Sequence, residues 1–123
     1  FPDANVNFSL SWFYEIPEVN PIVGEHVHDA DELIFYMPAY YGKDDDVNAT
    51  WGEATLYIEG EPYKVTDNCC IYIPGGLRHG PFLWNRIDRP NLFLTVMLSG
   101  DYTRVMEGRK YRQINGQYVP VDD

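Results

Sequence analysis

The chain contains three histidines, and all of them lie in two short segments: Gly24-Glu25-His26-Val27-His28-Asp29-Ala30-Asp31-Glu32 and Pro74-Gly75-Gly76-Leu77-Arg78-His79. No other feature constrains the fold as much. Side chains two apart on a β-strand share a face, so His26 and His28 point the same way, and Glu32 follows four residues on. Pro74-Gly75-Gly76 specifies a tight turn that delivers His79 from a distant part of the chain. Imidazole and carboxylate are natural ligands of a divalent transition metal. A fold that brings both segments to one point places three nitrogens and a carboxylate around one ion.

The two segments resemble the paired motifs of the cupin superfamily, G-x5-H-x-H-x3–4-E-x6-G and G-x5-P-x-G-x2-H-x3-N. The core of the first matches as His26-x-His28-x3-Glu32 and the core of the second as Pro74-x-Gly76-x2-His79. The flanks depart from the pattern. Gly24 stands nearer the first histidine, no glycine follows Glu32 at the family's distance, Asn68 replaces the glycine before Pro74, and Asn85 lies beyond the family's asparagine. These departures fall at bends, where glycine serves turn geometry, and they leave the ligand set intact.

The resemblance covers Pro21 to Leu98 and implies an all-β barrel of the cupin, double-stranded β-helix (jelly-roll) type. It further implies one divalent metal per subunit, held by His26, His28, Glu32 and His79. Nitrogen and oxygen donors with open positions favour manganese or iron, with zinc, nickel and copper as the other options. In cupin relatives the carboxylate sometimes doubles as a proton acceptor, a role that falls here to Glu32. Tyr36 shares the inferred face of Glu32 and is the candidate phenol beside an open metal position; its plainer role is core packing. Arg78 should point away from the ion if His79 points in, and pair with a surface acid.

At 123 residues the chain fits one domain, with an N-terminal strand or arm over residues 1–20, a barrel core over 21–98 and a C-terminal arm over 99–123. The net charge of −10 argues against nucleic acid or an anionic membrane as partner. Apolar runs such as Leu92-Phe93-Leu94-Thr95-Val96-Met97-Leu98 are too short to span a bilayer. Cys69 and Cys70 are adjacent, so on a strand they face opposite ways and do not bond to each other. Reduced thiols suit the cytoplasm, which is the expected compartment, although a chain beginning at Phe1 also fits the loss of a leader.

Along the chain, Phe8–Tyr14 is rich in strand-forming aromatics and reads as an edge strand or arm. Strands are expected at Val23–His28, Glu32–Met37, Ala54–Ile58, Tyr63–Val65 and Cys69–Ile73, with a hairpin turn at Glu59-Gly60-Glu61. Residues 38–52 break the pattern and read as an insertion, with Asp44-Asp45-Asp46 as a solvated tip and Tyr40, Tyr41 and Trp51 as a candidate lid. The strand Asn91–Leu98 is apolar on both faces, so it should be covered by the second sheet within and by a partner subunit or the N-terminal arm outside. A homodimer is therefore expected. The polar tail after it reads as an irregular arm with one short hairpin near Asn115-Gly116.

These readings converge on a metal-dependent enzyme acting on a small oxygenated molecule, such as a carboxylic or keto acid, a sugar derivative or a phenol. Oxygenase, decarboxylase, isomerase and lyase chemistries all remain open. The alternative is a non-catalytic ligand-binding or sensor cupin, which the fold supports equally well.

Overall fold

A computed structural model describes residues 5–20, 24–38, 50–114 and 117–121. Alternation of buried and half-exposed side chains sets the architecture, and it is clearest in the segment Glu32–Met37, where Glu32, Ile34 and Tyr36 are buried and Leu33, Phe35 and Met37 face outward. The strands in chain order are β1 (Asn7–Phe13), β2 (His26–His28), β3 (Glu32–Met37), β4 (Gly52–Ile58), β5 (Glu61–Val65) and β6 (Cys69–Ile73). They continue as β7 (His79–Ile87), β8 (Asn91–Met97), β9 (Thr103–Met106), β10 (Arg109–Ile114) and β11 (Gln117–Pro120). One sheet has the order β1-β8-β3-β6 and the other β11-β10-β9-β2-β7-β4-β5. Every pairing is antiparallel. No helix occurs among the described residues, and none is long and apolar enough to cross a membrane.

The core lies between the two sheets. Ile34 and Tyr36 from β3, Leu56 from β4, Phe82 and Trp84 from β7, and Phe93 from β8 are all buried in it. The rings meet at angles typical of aromatic pairs, with Phe82 and Phe93 centroids 4.8 Å apart and Phe82 and Trp84 4.9 Å apart. Phe13 anchors β1 by stacking on Trp84 at 4.1 Å. This aromatic block fills one end of the sandwich and leaves the other end to polar side chains.

The expected turn at Glu59-Gly60 is present, and its two residues have φ of 51° and 79°. Positive φ at both central positions matches the right-handed twist of the flanking strands. Glu107-Gly108 repeats the device with φ of 52° and 75° and joins β9 to β10. The tail after Met97, expected to be irregular, therefore forms three paired strands on the seven-stranded sheet. Its polar sequence hid them, because antiparallel strands with one wet face carry few apolar residues. Asn115 and Gly116 lie outside the described residues, but the strands flanking them pair from Ile114 and Gln117 onward.

Two further readings change. The long strand β7 was not anticipated: Gly80-Pro81 at its start reads as a turn signal, whereas Pro at the beginning of a strand costs only a hydrogen bond that is dispensable there. The N-terminal strand does not cover β8. It pairs along the β8 edge, from Asn7 opposite Met97 to Phe13 opposite Asn91, and leaves the outer face of β8 open. Residues 39–49, with Tyr40, Tyr41 and the Asp44–Asp46 run, lie outside the described residues. Cys69 and Cys70 are unbonded, one half-buried and one exposed.

Candidate metal centre

The polar end of the sandwich gathers the motif histidines. β2 pairs with β7 so that His26 sits directly opposite His79, and directly opposed residues project to the same face. His28 joins them from the same strand as His26, by the period of two. The ring centroids lie 4.3 Å apart for His26 and His79, 4.8 Å for His26 and His28, and 5.5 Å for His28 and His79. One ligand nitrogen from each falls within 4.8 Å of the others, and all three residues are buried. Glu32, at the start of β3 in the opposite sheet, reaches across so that its Oε1 lies 3.0 Å from His79 Nε2. The four motif residues thus converge.

The tautomers follow from the hydrogen bonds. Nδ1 of His26 bonds to the Gly24 carbonyl at 2.7 Å, Nδ1 of His28 to the Thr103 carbonyl at 3.2 Å, and Nδ1 of His79 to the Leu77 carbonyl at 2.9 Å. A carbonyl oxygen only accepts, so each Nδ1 carries a proton, and each ring in its neutral form presents an Nε2 lone pair. This outer anchoring is what orients histidines on metals. It leaves the lone pair of His79 facing a carboxylate oxygen at 3.0 Å. Two acceptors at that distance need a proton or a cation between them. The residues therefore fit a divalent ion, with three nitrogens and an oxygen as donors.

Electrostatics agrees. Burial lowers the pKa of His26 to about 4, an effect to which the neighbouring His79 and His28 contribute and which the Gly24 carbonyl opposes. Burial also lowers His28, against the raising influence of Glu32. Both rings are neutral at pH 7, the form that binds a metal.

Supports for the ligands come from residues outside the ligand set. The Asp31 carboxylate accepts from the Gly75 amide and the Tyr72 hydroxyl, each at 2.8 Å. The Gly76 amide donates to the His28 carbonyl at 2.8 Å. These bonds lash the two motif loops together. Asp29 accepts from the Thr103 amide at 2.7 Å, fixing β9 beside β2. Gly80 is required by space: a Cβ there would lie 2.8 Å from the Gly24 carbonyl oxygen and 3.2 Å from His26 Nδ1, and its φ is +95°.

The ligands line a cavity of about 140 Å³, walled on its apolar side by Ile34, Leu56, Phe82 and Phe93. Tyr36 does not line it. Its ring packs on Phe82 at 5.6 Å, its buried hydroxyl has no hydrogen-bond partner, and burial pushes its ionisation well above the usual phenol range. Trp51 lies elsewhere too, with the Arg89 guanidinium 3.9 Å above its ring. Arg78 points away from the histidines to Glu59 and Glu25, as expected. The sequence reading missed Arg104 and Tyr118, which line the cavity from β9 and β11. Only the pairing of β9 with β2, continued through β10 to β11, places them there, and no local motif announces it.

Among solved structures, the chain is similar to a sugar phosphate isomerase of the cupin superfamily from Silicibacter pomeroyi, with a TM-score of 0.60 at 17% identity over 96% of this chain and 68% of that one. It is likewise similar to a candidate sugar phosphate isomerase from Acidithiobacillus ferrooxidans, with a TM-score of 0.58 at 12% identity over 97% of this chain and 68% of that one. No family model and no curated protein matches the sequence. The two-sheet architecture and these neighbours define the class of fold. The chain has the cupin, double-stranded β-helix fold that its motifs resemble.

Proposed function

We propose that the chain holds one divalent transition metal on His26, His28, His79 and Glu32 and acts there on a small oxygenated molecule. The observation that carries this reading is the set of three Nδ1–carbonyl hydrogen bonds, which leave the three Nε2 atoms free to share one ion, with ligand atoms within 4.8 Å of one another. Manganese(II) or iron(II) suits the donor mix best, with zinc, nickel or copper as alternatives. Among the substrate classes open to such a site, the structural neighbours favour a sugar derivative and an isomerisation. The unbonded thiols support a cytoplasmic setting.

The chain's own groups divide the work. A bound divalent ion supplies Lewis-acid polarisation of a substrate oxygen. Ile34, Leu56 and Phe82 exclude water from one side of the cavity. Glu32, the carboxylate in the cavity, accepts and returns the proton that an isomerisation must move. Its contact with His79 also favours a second reading, in which the carboxylate is only a ligand and the protein is a binding module without turnover.

Elemental analysis of protein purified without a chelating tag tests the metal: about one transition-metal ion per subunit is expected, most of it lost in His28→Ala. No uptake by the wild type, or full retention in that variant, overturns the assignment. Glu32→Gln then separates the two readings. Against a panel of phosphorylated sugars, an enzyme using this base loses roughly 10²–10⁴ in turnover while keeping some metal; a binding module shows no turnover and a modest change in ligand affinity.

A further inference from the structure

We infer that Arg104, braced by Tyr118, is an oxyanion-binding subsite that takes the carboxylate or phosphate group of the substrate while the substrate's other end meets the metal. The inference rests on the metal-centred reading for that second contact, but the subsite itself stands on separate observations. Arg104 lies directly opposite His28 in the β2–β9 ladder, so both project into the same cavity. The guanidinium carbon lies over the Tyr118 ring, 3.6 Å from its centroid. The Tyr118 hydroxyl is in turn hydrogen-bonded to that of Tyr102 at 3.0 Å, and the Tyr102 ring packs edge-on against His28 at 5.4 Å. The guanidinium is thus held by a chain of contacts that ends on a metal ligand.

What Arg104 lacks is an acceptor. Its Nε is buried and has no hydrogen-bond partner, and no described carboxylate pairs with it. Leaving a buried donor of a cation unsatisfied is costly. The anomaly is sharper because the chain carries a net charge of −10 and has acids to spare. The only charged residues lining the cavity among those described are Glu32 and Arg104. One carboxylate balances one guanidinium, so a divalent ion leaves the cavity with a positive surplus that an anionic substrate group removes. A planar fork of donors matches carboxylate and phosphate oxygens in pairs, which a point charge does not.

Equilibrium dialysis with inorganic phosphate and, separately, acetate tests this on metal-free and metal-loaded protein. Wild type should bind at least one of the two in both states, and the preferred probe tells phosphate from carboxylate. Arg104→Gln should weaken that binding by about tenfold or more, the worth of a charge-assisted hydrogen bond, with metal content unchanged. Arg104→Lys, which keeps the charge and loses the fork, should bind more weakly than wild type and serves if the Gln variant does not fold. Binding of neither probe by the wild type overturns the subsite, as does wild-type affinity in both variants. If phosphate binds through Arg104 while no metal is taken up, the subsite stands and the metal-centred reading falls.

A different observation carries a second inference. The geometry points to the outer face of the four-stranded sheet as a homodimer interface. Phe8, Leu10 and Trp12 on β1 stand opposite Val96, Leu94 and Leu92 on β8. Leu33 and Phe35 on β3 continue the face, followed by Tyr72 and Cys70 on β6. Phe8 is 67% exposed, Leu10 56% and Trp12 54%, and the strand residues described on this face are uncharged, with Asp31 at its rim bonded to Tyr72. Phe8, Trp12 and Tyr72 are 54–67% exposed, and at roughly 150–250 Å² for an aromatic side chain they alone leave on the order of 250–450 Å² bare, to which Leu10 adds. A patch of this size is large for a monomer and is often functional, and it is a substantial part of the roughly 800 Å² each partner contributes to a stable interface. Uncharged strand residues offer little to a partner of complementary charge, and the net charge repels anionic membranes. It does match a second copy of itself across a two-fold axis, sheet against sheet.

Light scattering on the wild type at tens of micromolar should give twice the mass of one chain. Leu10→Lys and Trp12→Lys, at exposed positions that leave the core intact, should give monomers with unchanged circular dichroism. A monomeric wild type, or dimers that persist in both variants, overturns the interface. Binding of the wild-type monomer to neutral phosphatidylcholine vesicles would reassign the face to a membrane.

Discussion

Two faces of the four-stranded sheet run opposite to the usual rule for a soluble protein. Toward the second sheet, one end of the sandwich buries Glu32 beside three histidines. Away from it, Phe8, Leu10 and Trp12 stand in solvent among uncharged strand residues. Buried polar groups and exposed apolar patches are the informative exceptions to burial statistics. Here Glu32 and the exposed side chains belong to one sheet, on its opposite faces, because successive side chains alternate across it. The comparison teaches that each exception asks for something the isolated chain does not contain. On the proposals above, a metal ion and an anionic group would answer the inner one and a second copy of the chain the outer one.

The comparison breaks most easily at two phenylalanines. Phe82 is 1% exposed in the core and Phe8 is 67% exposed on the outer face. Phe82→Ala should cost about 3–5 kcal/mol at any protein concentration. If the outer face is the proposed dimer interface, Phe8→Ala should cost little in a dilute monomer and more as concentration rises. Denaturant unfolding at two protein concentrations reads both; a concentration-independent loss of the same size at Phe8 would erase the distinction between the faces.

A somewhat smaller effect sharpens the inner face. In metal-free protein, His26 titrates near pH 4 when folded and near 6.5 when unfolded. The unfolded chain therefore binds the proton first as pH falls, so stability is full above 6.5 and declines from there down to about 4. A difference of this size corresponds to about 3 kcal/mol, and His28 shifts in the same direction. Metal should deepen the loss, since protons compete for its ligands. Urea midpoints that stay level from pH 7 to 4.5 would show that the histidines are not desolvated.

The smallest effect concerns the anchoring of one ligand. A methyl group at Gly80 would press on the Gly24 carbonyl and His26 Nδ1. Gly80→Ala should weaken metal binding by about 10–100-fold, as loss of ligand orientation does elsewhere. Calorimetric titration with manganese checks it. Unchanged affinity would mean that His26 needs no such anchor.

Much of this was legible in the sequence. His26, His28, Glu32 and His79 were recognisable by residue type and spacing, because period-two alternation and a Pro-Gly-Gly turn are local properties. The strand β6 matches its expected bounds, and β3 does too, since clear alternation or β-branched runs bound by turn residues survive folding. Reading failed where strands are short and polar, as in β9 to β11, and at β7, which no local signal announced.

By itself, then, the sequence determined the candidate donor residues, the inward and outward faces of the central strands and the uncharged strand residues of the outer one. Tertiary structure alone decided which carbonyls hold the imidazoles. It also decided which cation shares their cavity. Thr103 lies 75 residues from the ring it anchors, and Arg104 reaches the cavity only because β9 pairs with β2. Neither contact has a sequence period. Each depends on which strand edge the returning chain selects, and that choice is made by hydrogen bonding and burial over the whole sheet rather than by neighbours in the chain.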